Sequence, residues 1–258
     1  MKKYKIIYKK IVKTFKNYLT FILRYLFSSK PKDFKKIPII INNFNRLEFL
    51  EKMINSLESK GYSNIKILDN ASTYPPLLEY YNKTPYKVYR YKKNYGSKAF
   101  WRSGLWLRYI FNYYVVTDPD LELTKECPDD FLEYFYELLM KYKNSYKVGF
   151  ALKIDDLPDH FILKNKVIDW EKKFWKEEVE SNIFKAPIDT TFALYRPFSK
   201  KGKRDGTDFM LRVAGAYTLR HLPWYIESNK ISPEEKYYLA NTKVGHWSGL
   251  INKEIKSS

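Results

Sequence analysis

From Tyr4 to Leu26 apolar side chains recur at three- and four-residue steps (Tyr4, Ile7, Tyr8, Ile11, Phe15, Tyr18, Leu19, Ile22, Tyr25, Leu26), and lysines fill the opposite face up to Lys16. This is a helical period, and it predicts an amphipathic helix. Ser28 to Lys36, with Pro31, reads as a linker, after which the pattern changes. Ile37 to Ile41 is a β-branched run suited to a buried parallel strand, with Pro38 tolerable only near its start; Leu47 to Lys60 has helical spacing, and Ile65 to Leu68 is a second strand. Further strands are predicted at Val88–Tyr91, Tyr113–Thr117, Val148–Leu152 and Thr191–Tyr195, with helices near Ser97–Phe111 and Asp129–Lys143. Alternation of this kind predicts one α/β domain over residues 37–258, built on a mostly parallel central sheet, behind a separable segment over residues 1–30. Ligands of such a sheet gather at the carboxyl ends of its strands.

A hydrophobic content of 45% with 18% aromatics belongs to a packed protein, because disordered chains lack the apolar surface to offset chain entropy. The net charge of +18 is placed unevenly: residues 1–36 hold twelve Lys/Arg against the single acid Asp33, a net +11, which leaves +7 for the other 222 residues. A nucleic-acid binder spreads its cations over a folded face, so this distribution predicts no nucleic-acid partner. The longest uncharged stretch of the amino-terminal segment, Asn17 to Leu23, falls far short of the roughly 20 apolar residues that cross a bilayer. Lysines interrupt any signal-peptide core, and no small-residue cleavage site follows. The expectation is a helix lying in the interface of an anionic membrane, which makes the protein cytoplasmic and peripheral on the inner face. A helix packed on its own domain or on a partner subunit has the same period. The lone Cys127 forms no internal disulfide, in keeping with a reducing compartment.

Candidate chemistry lies where strands end. The first strand runs into Asn42-Asn43-Phe44-Asn45-Arg46 and the second into Asp69-Asn70-Ala71-Ser72, so both turns belong at one sheet edge. There a carboxylate at Asp69 suits a base N–H or a ribose hydroxyl, Phe44 a base face, and Arg46 a phosphate. Helix caps and tight turns use the same residue types. The stronger element is Tyr113-Tyr-Val-Val-Thr-Asp-Pro-Asp-Leu121. Asp118 and Asp120, two apart on an extended segment, share one side of it and suit Mn²⁺ or Mg²⁺, which take hard oxygen ligands and bridge to diphosphate. Pro119 narrows the geometries between them. Asp-Pro is also a common turn initiator.

Taken in order, these segments resemble the opening of family 2 glycosyltransferases of the GT-A type. In that family a hydrophobic strand leads to a P-T-Y-N-R-like turn and a later strand to D-x-x-S. Asn94-Tyr95-Gly96 with Ala99 resembles the N-x-G-x-x-x-A segment, one residue shorter, and Asp118-Pro119-Asp120 stands at the D-x-D metal motif. The likeness covers roughly residues 37–125 and lies in the ordered set rather than in any one motif. It implies a GT-A (Rossmann-like) nucleotide-diphospho-sugar transferase fold. It also implies a nucleotide-sugar donor, a UDP-sugar, held by Asn42, Phe44, Arg46, Asp69, Asn70, Asn94, Gly96 and Lys98, and a metal on Asp118 and Asp120. His246, in Val244-Gly-His-Trp-Ser248, resembles the late histidine that many such enzymes add as a third ligand.

Two departures stand out. Asn42 and Asn43 replace the family's Pro and Thr, and no clear Glu-Asp pair marks the catalytic base. Asp189, ahead of the strand-like Thr190–Tyr195, is the first candidate base; Asp208 is the second, and Asp155 or Asp156 the third. A base is needed only if the sugar's configuration inverts. The expected activity is transfer to a hydroxyl of a glycan or lipid-linked acceptor, in surface polysaccharide or glycolipid synthesis. Lys200 to Arg204 before Asp205-Gly206 reads as a flexible turn, either a phosphate-holding lid or a solvated loop. A nucleotidyltransferase shares the fold and metal chemistry but carries a glycine-rich phosphate loop after its first strand, and Asn42 to Arg46 has no glycine. The non-enzymatic alternative is a cationic module for membrane or nucleic acid with a degenerate active site.

Overall fold

The computed structural model describes residues 29–161, 163–199, 209–227 and 231–242, with scattered positions between Tyr4 and Phe27. The fold is the α/β architecture that the sequence predicts. Strand β1 (Ile39–Asn43) is buried along its whole length, as a β-branched run covered on both faces must be. It begins two residues later than expected because Pro38 has no N–H for the ladder and serves only as an acceptor, to Val115 N at 2.9 Å. Helix α1 (Glu48–Ser59) follows and buries Phe49, Leu50, Met53, Ile54 and Leu57 on one face. Full burial of each is worth about 1.5–3 kcal/mol. Next come β2 (Ile65–Asp69), helix α2 (Pro75–Lys83) with proline in its first turn, and β3 (Lys87–Arg90).

The helix expected over Ser97–Phe111 is broken. Helix α3 (Ala99–Arg102) stops at Gly104, whose φ of +82° is the left-handed turn that ends helices, and a 3₁₀ turn (Leu105–Arg108) replaces the rest. Strands β4 (Tyr114–Thr117) and β5 (Leu121–Leu123) flank the Asp-Pro-Asp turn, and helix α4 (Phe131–Lys141) leads to β6 (Ser145–Leu152). The remainder, α5 (Lys164–Lys172), β7 (Glu178–Glu180), β8 (Ile183–Lys185), β9 (Ala193–Tyr195), β10 (Phe209–His221) and α6 (Pro233–Asn241), contains only one strand that the sequence pattern marks.

The strands form one sheet in the order β3-β2-β1-β4-β9-β6-β10-β8-β7, with β5 added alongside β10. Strands β3, β2, β1 and β4 are parallel, β9 runs against β4 and β6, and β10 is parallel to β6. Alternate side chains feed two cores, Ile39 and Ile41 packing beneath α1, α2 and α4 and Ile40 packing with Phe100 and Tyr114 on the opposite face. This topology brings the ends of β1, β2, β4 and β10 and the start of β9 to one edge. The described positions of the amino-terminal segment are helical, with Tyr4, Tyr8, Ile11, Phe15 and Tyr18 exposed; its other positions lie outside the described residues. Among the described residues no helix is long and apolar enough to cross a membrane.

Candidate active site

The turn after β1 is held from behind by its own asparagines. Asn45 adopts a left-handed φ of +52°, accessible to asparagine at little strain, and its amide oxygen accepts from Thr73 N (2.7 Å) and Tyr74 N (3.0 Å) just ahead of α2. Asn43 donates to the Tyr81 hydroxyl at 2.9 Å, and Asn42 reaches Ser97 O at 3.5 Å. One polar atom of each, Asn42 Oδ1, Asn43 Oδ1 and Asn45 Nδ2, is buried with no hydrogen-bond partner among the described residues. Asp69, at the end of β2, accepts from Ser72 N at 3.1 Å across a turn in which Ala71 takes φ +65°. Burial raises the Asp69 pKa, against the opposing pull of Ser72. The turn role that the sequence left open for Asp69 is therefore present in the structure.

Asn70 links this turn to the basic segment after β3. It donates to Asn94 Oδ1 (2.9 Å) and Gly96 O (3.1 Å) and accepts from Tyr95 N (2.7 Å). Asn70, Asn94 and Gly96, which the resemblance assigns to the donor, come together and spend these polar groups on one another and on Tyr95 N. Lys98 is exposed nearby.

Asp118 and Asp120 stand where β4 hands over to β5. Asp118 Oδ2 accepts a hydrogen bond from the Thr190 hydroxyl. Asp120 lies 3.6 Å from His221 Nε2, a distance set by the β5–β10 ladder that pairs Leu121 with His221. Burial lowers the His221 pKa, so the ring is neutral beside its carboxylate despite the opposing influence of Asp120; Nδ1 is buried without a partner. Asp189 is exposed next to Thr190, at the edge that holds Asp118. Its backbone is fixed from beneath by Lys147, a buried amine on β6 that donates to Ile188 O (2.8 Å), Asp189 O (3.1 Å) and the Tyr195 hydroxyl (3.1 Å). Asp156, the third candidate base, is committed elsewhere, accepting from Arg220 Nε (2.8 Å) and the Tyr225 hydroxyl (2.5 Å). Asp155 pairs with Lys153 at 2.8 Å.

Arg46 departs most from expectation. Instead of an open position facing phosphate, it is buried against Glu235 of α6, with its guanidinium carbon 3.6 Å from the Tyr238 ring centroid and 4.8 Å from that of Phe49. Neighbouring Glu234 accepts from Leu47 N (2.6 Å) and Glu48 N (2.9 Å), capping α1, which has no cap of its own. Helix α6 therefore closes over the first turn and sets Phe44, half-buried, edge-on to Tyr238 at 6.4 Å. A cavity of about 260 Å³ beside this pair is lined by Arg46, Glu48, Lys52, Glu234 and Glu235 among others; neither Asp69 nor Asp118 lines it. Asp208, His246 and the Lys200–Arg204 turn lie outside the described residues.

Sequence reasoning missed Thr190, His221, Lys147 and the Glu234–Glu235 pair. For His221 the available signal is its place at the end of the strand Phe209–His221. Lys147 on β6, Thr190 ahead of β9 and the Glu234–Glu235 pair of α6 meet the site through contacts distant in sequence, whose placement is tertiary.

No family model matches the sequence, and no curated protein matches it. Solved structures similar to this chain include glucosyl-3-phosphoglycerate synthase of Mycobacterium tuberculosis in complex with phosphoglyceric acid, at 13% identity and a TM-score of 0.39, over 65% of this chain and 63% of that one. The S. aureus TarS fragment 1–349 is similar at 16% identity and a TM-score of 0.41, over 85% of this chain and 70% of that one. The same synthase in complex with Mn²⁺ and uridine-diphosphate-glucose is similar at 16% identity and a TM-score of 0.36, over 62% of this chain and 56% of that one. This chain spans less than two thirds of the length of the synthase chains.

Proposed function

We propose that this chain is a metal-dependent glycosyltransferase that moves a sugar from a nucleotide-sugar donor, a UDP-sugar, to a hydroxyl of a glycan or lipid-linked acceptor in surface polysaccharide or glycolipid synthesis. The observation that carries this reading is the arrival of the Asn42–Asn45 turn, Asp69, Asp118, Asp120 and Asp189 at one sheet edge, three of the asparagine polar atoms there being buried and unpaired. The carboxylates of Asp118 and Asp120, the latter with His221 beside it, suit a hard divalent cation, Mn²⁺ or Mg²⁺. Such an ion takes one or two carboxylates and completes its shell with water and phosphate oxygens. Among the described residues there is no group of three metal-ligating side chains. When bound, the ion supplies charge compensation for the departing diphosphate.

The chain's own groups then have separate tasks. Asp69 and Phe44 face the nucleoside, Thr190 orients the Asp118 carboxylate, and Asp189 takes the acceptor hydroxyl proton in an inverting transfer. Residues 1–30 attach the protein to the inner face of an anionic membrane, where a lipid-linked acceptor resides. The test is a screen of nucleotide-sugars for turnover with and without Mn²⁺, repeated on Asp118→Asn and Asp120→Asn. Each variant is expected to keep its melting temperature and to lose about 100-fold or more in turnover, about 2.7 kcal/mol at the barrier. Undiminished turnover in both would falsify the proposal.

A further inference from the structure

Apart from the proposed active site, a basic face with apolar prongs remains without a task. The 38 residues from Tyr80 to Thr117 contain eight Lys/Arg and no acid. Lys87, Lys93, Arg102 and Arg108 are exposed, and none of them meets a carboxylate among the described residues. They are interleaved with half-buried tyrosines: Lys87 and Arg108 lie 5.6 and 5.9 Å from the Tyr89 ring centroid, Lys93 lies 5.9 Å from that of Tyr95, and Tyr91 packs edge-on to Tyr95 at 5.7 Å. Flanking Arg108 in the chain, Leu107 and Phe111 stand out at 59% and 52% exposure. Phe27, at the end of the amino-terminal segment, lies 5.3 Å from both Phe111 and Phe198, so this patch continues the exposed apolar side chains of that segment.

We infer that the outer edge of β3 and the Leu105–Arg108 turn form a second membrane-docking surface, on the body of the protein, which seats on an anionic bilayer beside the amino-terminal segment. This extends the membrane attachment proposed above and rests on it. Cations near an anionic leaflet attract it, aromatic side chains with polar tips suit the headgroup level, and protruding Leu and Phe enter the acyl boundary. A soluble polyanion would use the cations but leave Leu107 and Phe111 in water, and exposed apolar patches rimmed by polar groups mark contact surfaces. The docked face borders the candidate donor site, because Asn70 binds Asn94 and Gly96 within the same segment. An acceptor headgroup rising from the bilayer therefore meets that edge.

The test uses the full chain and co-sedimentation with phosphatidylcholine vesicles containing phosphatidylglycerol, with phosphatidylcholine alone as control. Lys87→Gln/Arg108→Gln is expected to weaken binding to anionic vesicles about 30-fold, from two lost surface cations, and Leu107→Ser/Phe111→Ser at least about tenfold, by loss of the inserted apolar groups. Binding by both variants equal to that of the unaltered chain overturns the inference while leaving attachment through residues 1–30 in place. No binding by the unaltered chain overturns both. If polyphosphate displaces the vesicles and only the cation variant weakens, the face is a polyanion site and the inference fails.

Discussion

Replacing Glu235 by alanine tests whether α6 is pinned to the first turn by a buried ion pair. Arg46 is 3% exposed, and both of its terminal nitrogens bond the Glu235 carboxylate, Nη2 at 3.2 Å. Its other close neighbours are the Tyr238 and Phe49 rings, and Nε is buried without a partner. Removing the carboxylate leaves a guanidinium in an apolar sandwich, and breaking a buried pair in this way costs about 3–5 kcal/mol. Burial acts against the Arg46 charge, but Tyr238, Asp120 and Glu234 act in its favour and remain when Glu235 is removed, which places the expected loss near the lower end, about 3 kcal/mol. For a domain of this size each kcal/mol shifts the melting temperature by about 2–4 °C, so Glu235→Ala should melt about 6–12 °C lower. Thermal and urea unfolding followed by near-ultraviolet circular dichroism measure it. Arg46→Met/Glu235→Met removes both charges and should recover most of the loss, because a well-packed apolar replacement of a buried pair is often neutral or stabilising. A Glu235→Ala variant within about 1 kcal/mol of the unaltered protein would show that the pair is solvated and that the buried-charge reasoning fails.

Two further substitutions probe the frame of the site. Gly149→Ala places a Cβ 2.8 Å from Ala193 Cβ and 2.9 Å from its Cα, and closer still to the carbonyl oxygen of Phe192, where β6 and β9 pair. The backbone of β9 must move, so the loss should reach or exceed the upper end of the usual overpacking range of about 1–3 kcal/mol, measured by urea unfolding; a neutral variant refutes the close approach. Glu234→Gln keeps an amide oxygen for the α1 cap but cannot titrate. Burial raises the Glu234 pKa, so the folded state holds its proton more tightly than the unfolded state does, and the associated stability is present below the ordinary value of 4.5 and lost as pH rises through the folded pKa. Unfolding measured between pH 4 and pH 7 should therefore show the unaltered protein losing stability relative to Glu234→Gln with rising pH, and a flat or rising difference contradicts the burial argument.

The legible part of the fold was its parallel half. Strands β1, β2 and β4 are short, mostly apolar runs separated by turn residues or helical periods, β3 is a short Val-Tyr segment between cations, and a side chain's place in such runs follows from local pattern. The Asp118–Asp120 turn and the Asn42–Arg46 turn reached one edge for the same reason, since both follow parallel strands that neighbour each other. Less was legible where the chain reverses. The Ser97–Phe111 pattern has helical spacing, and a single left-handed Gly104 breaks it. Helix α6 carries buried Glu234 and Glu235, which by composition belong on a solvated face; their burial is intelligible only with Arg46 and the uncapped start of α1 in view. Local pattern points Arg46 at a phosphate, because its actual partner, Glu235, stands 189 residues away.

Unpaired buried polar atoms gather at the carboxyl edge of the sheet. Asn42 Oδ1, Asn43 Oδ1, Asn45 Nδ2, Arg46 Nε, Thr191 Oγ1 and His221 Nδ1 are all buried and unpaired among the described residues. Asn45 and Ala71 hold left-handed conformations in the two turns that face one another there. A buried polar atom left without a partner costs about 1–3 kcal/mol, and a whole domain is stable by only about 5–15 kcal/mol. So many such atoms at one edge are tolerable only if something polar meets them, and ordered water or a polyhydroxylated, charged ligand does so equally well on energetic grounds. Chemistry separates the two. The proposed donor, a cation-bound diphosphate carrying a nucleoside and a sugar, would use each of these groups: two carboxylates on a proline-fixed turn, one steadied by Thr190 and the other beside His221, which ordered water alone does not require.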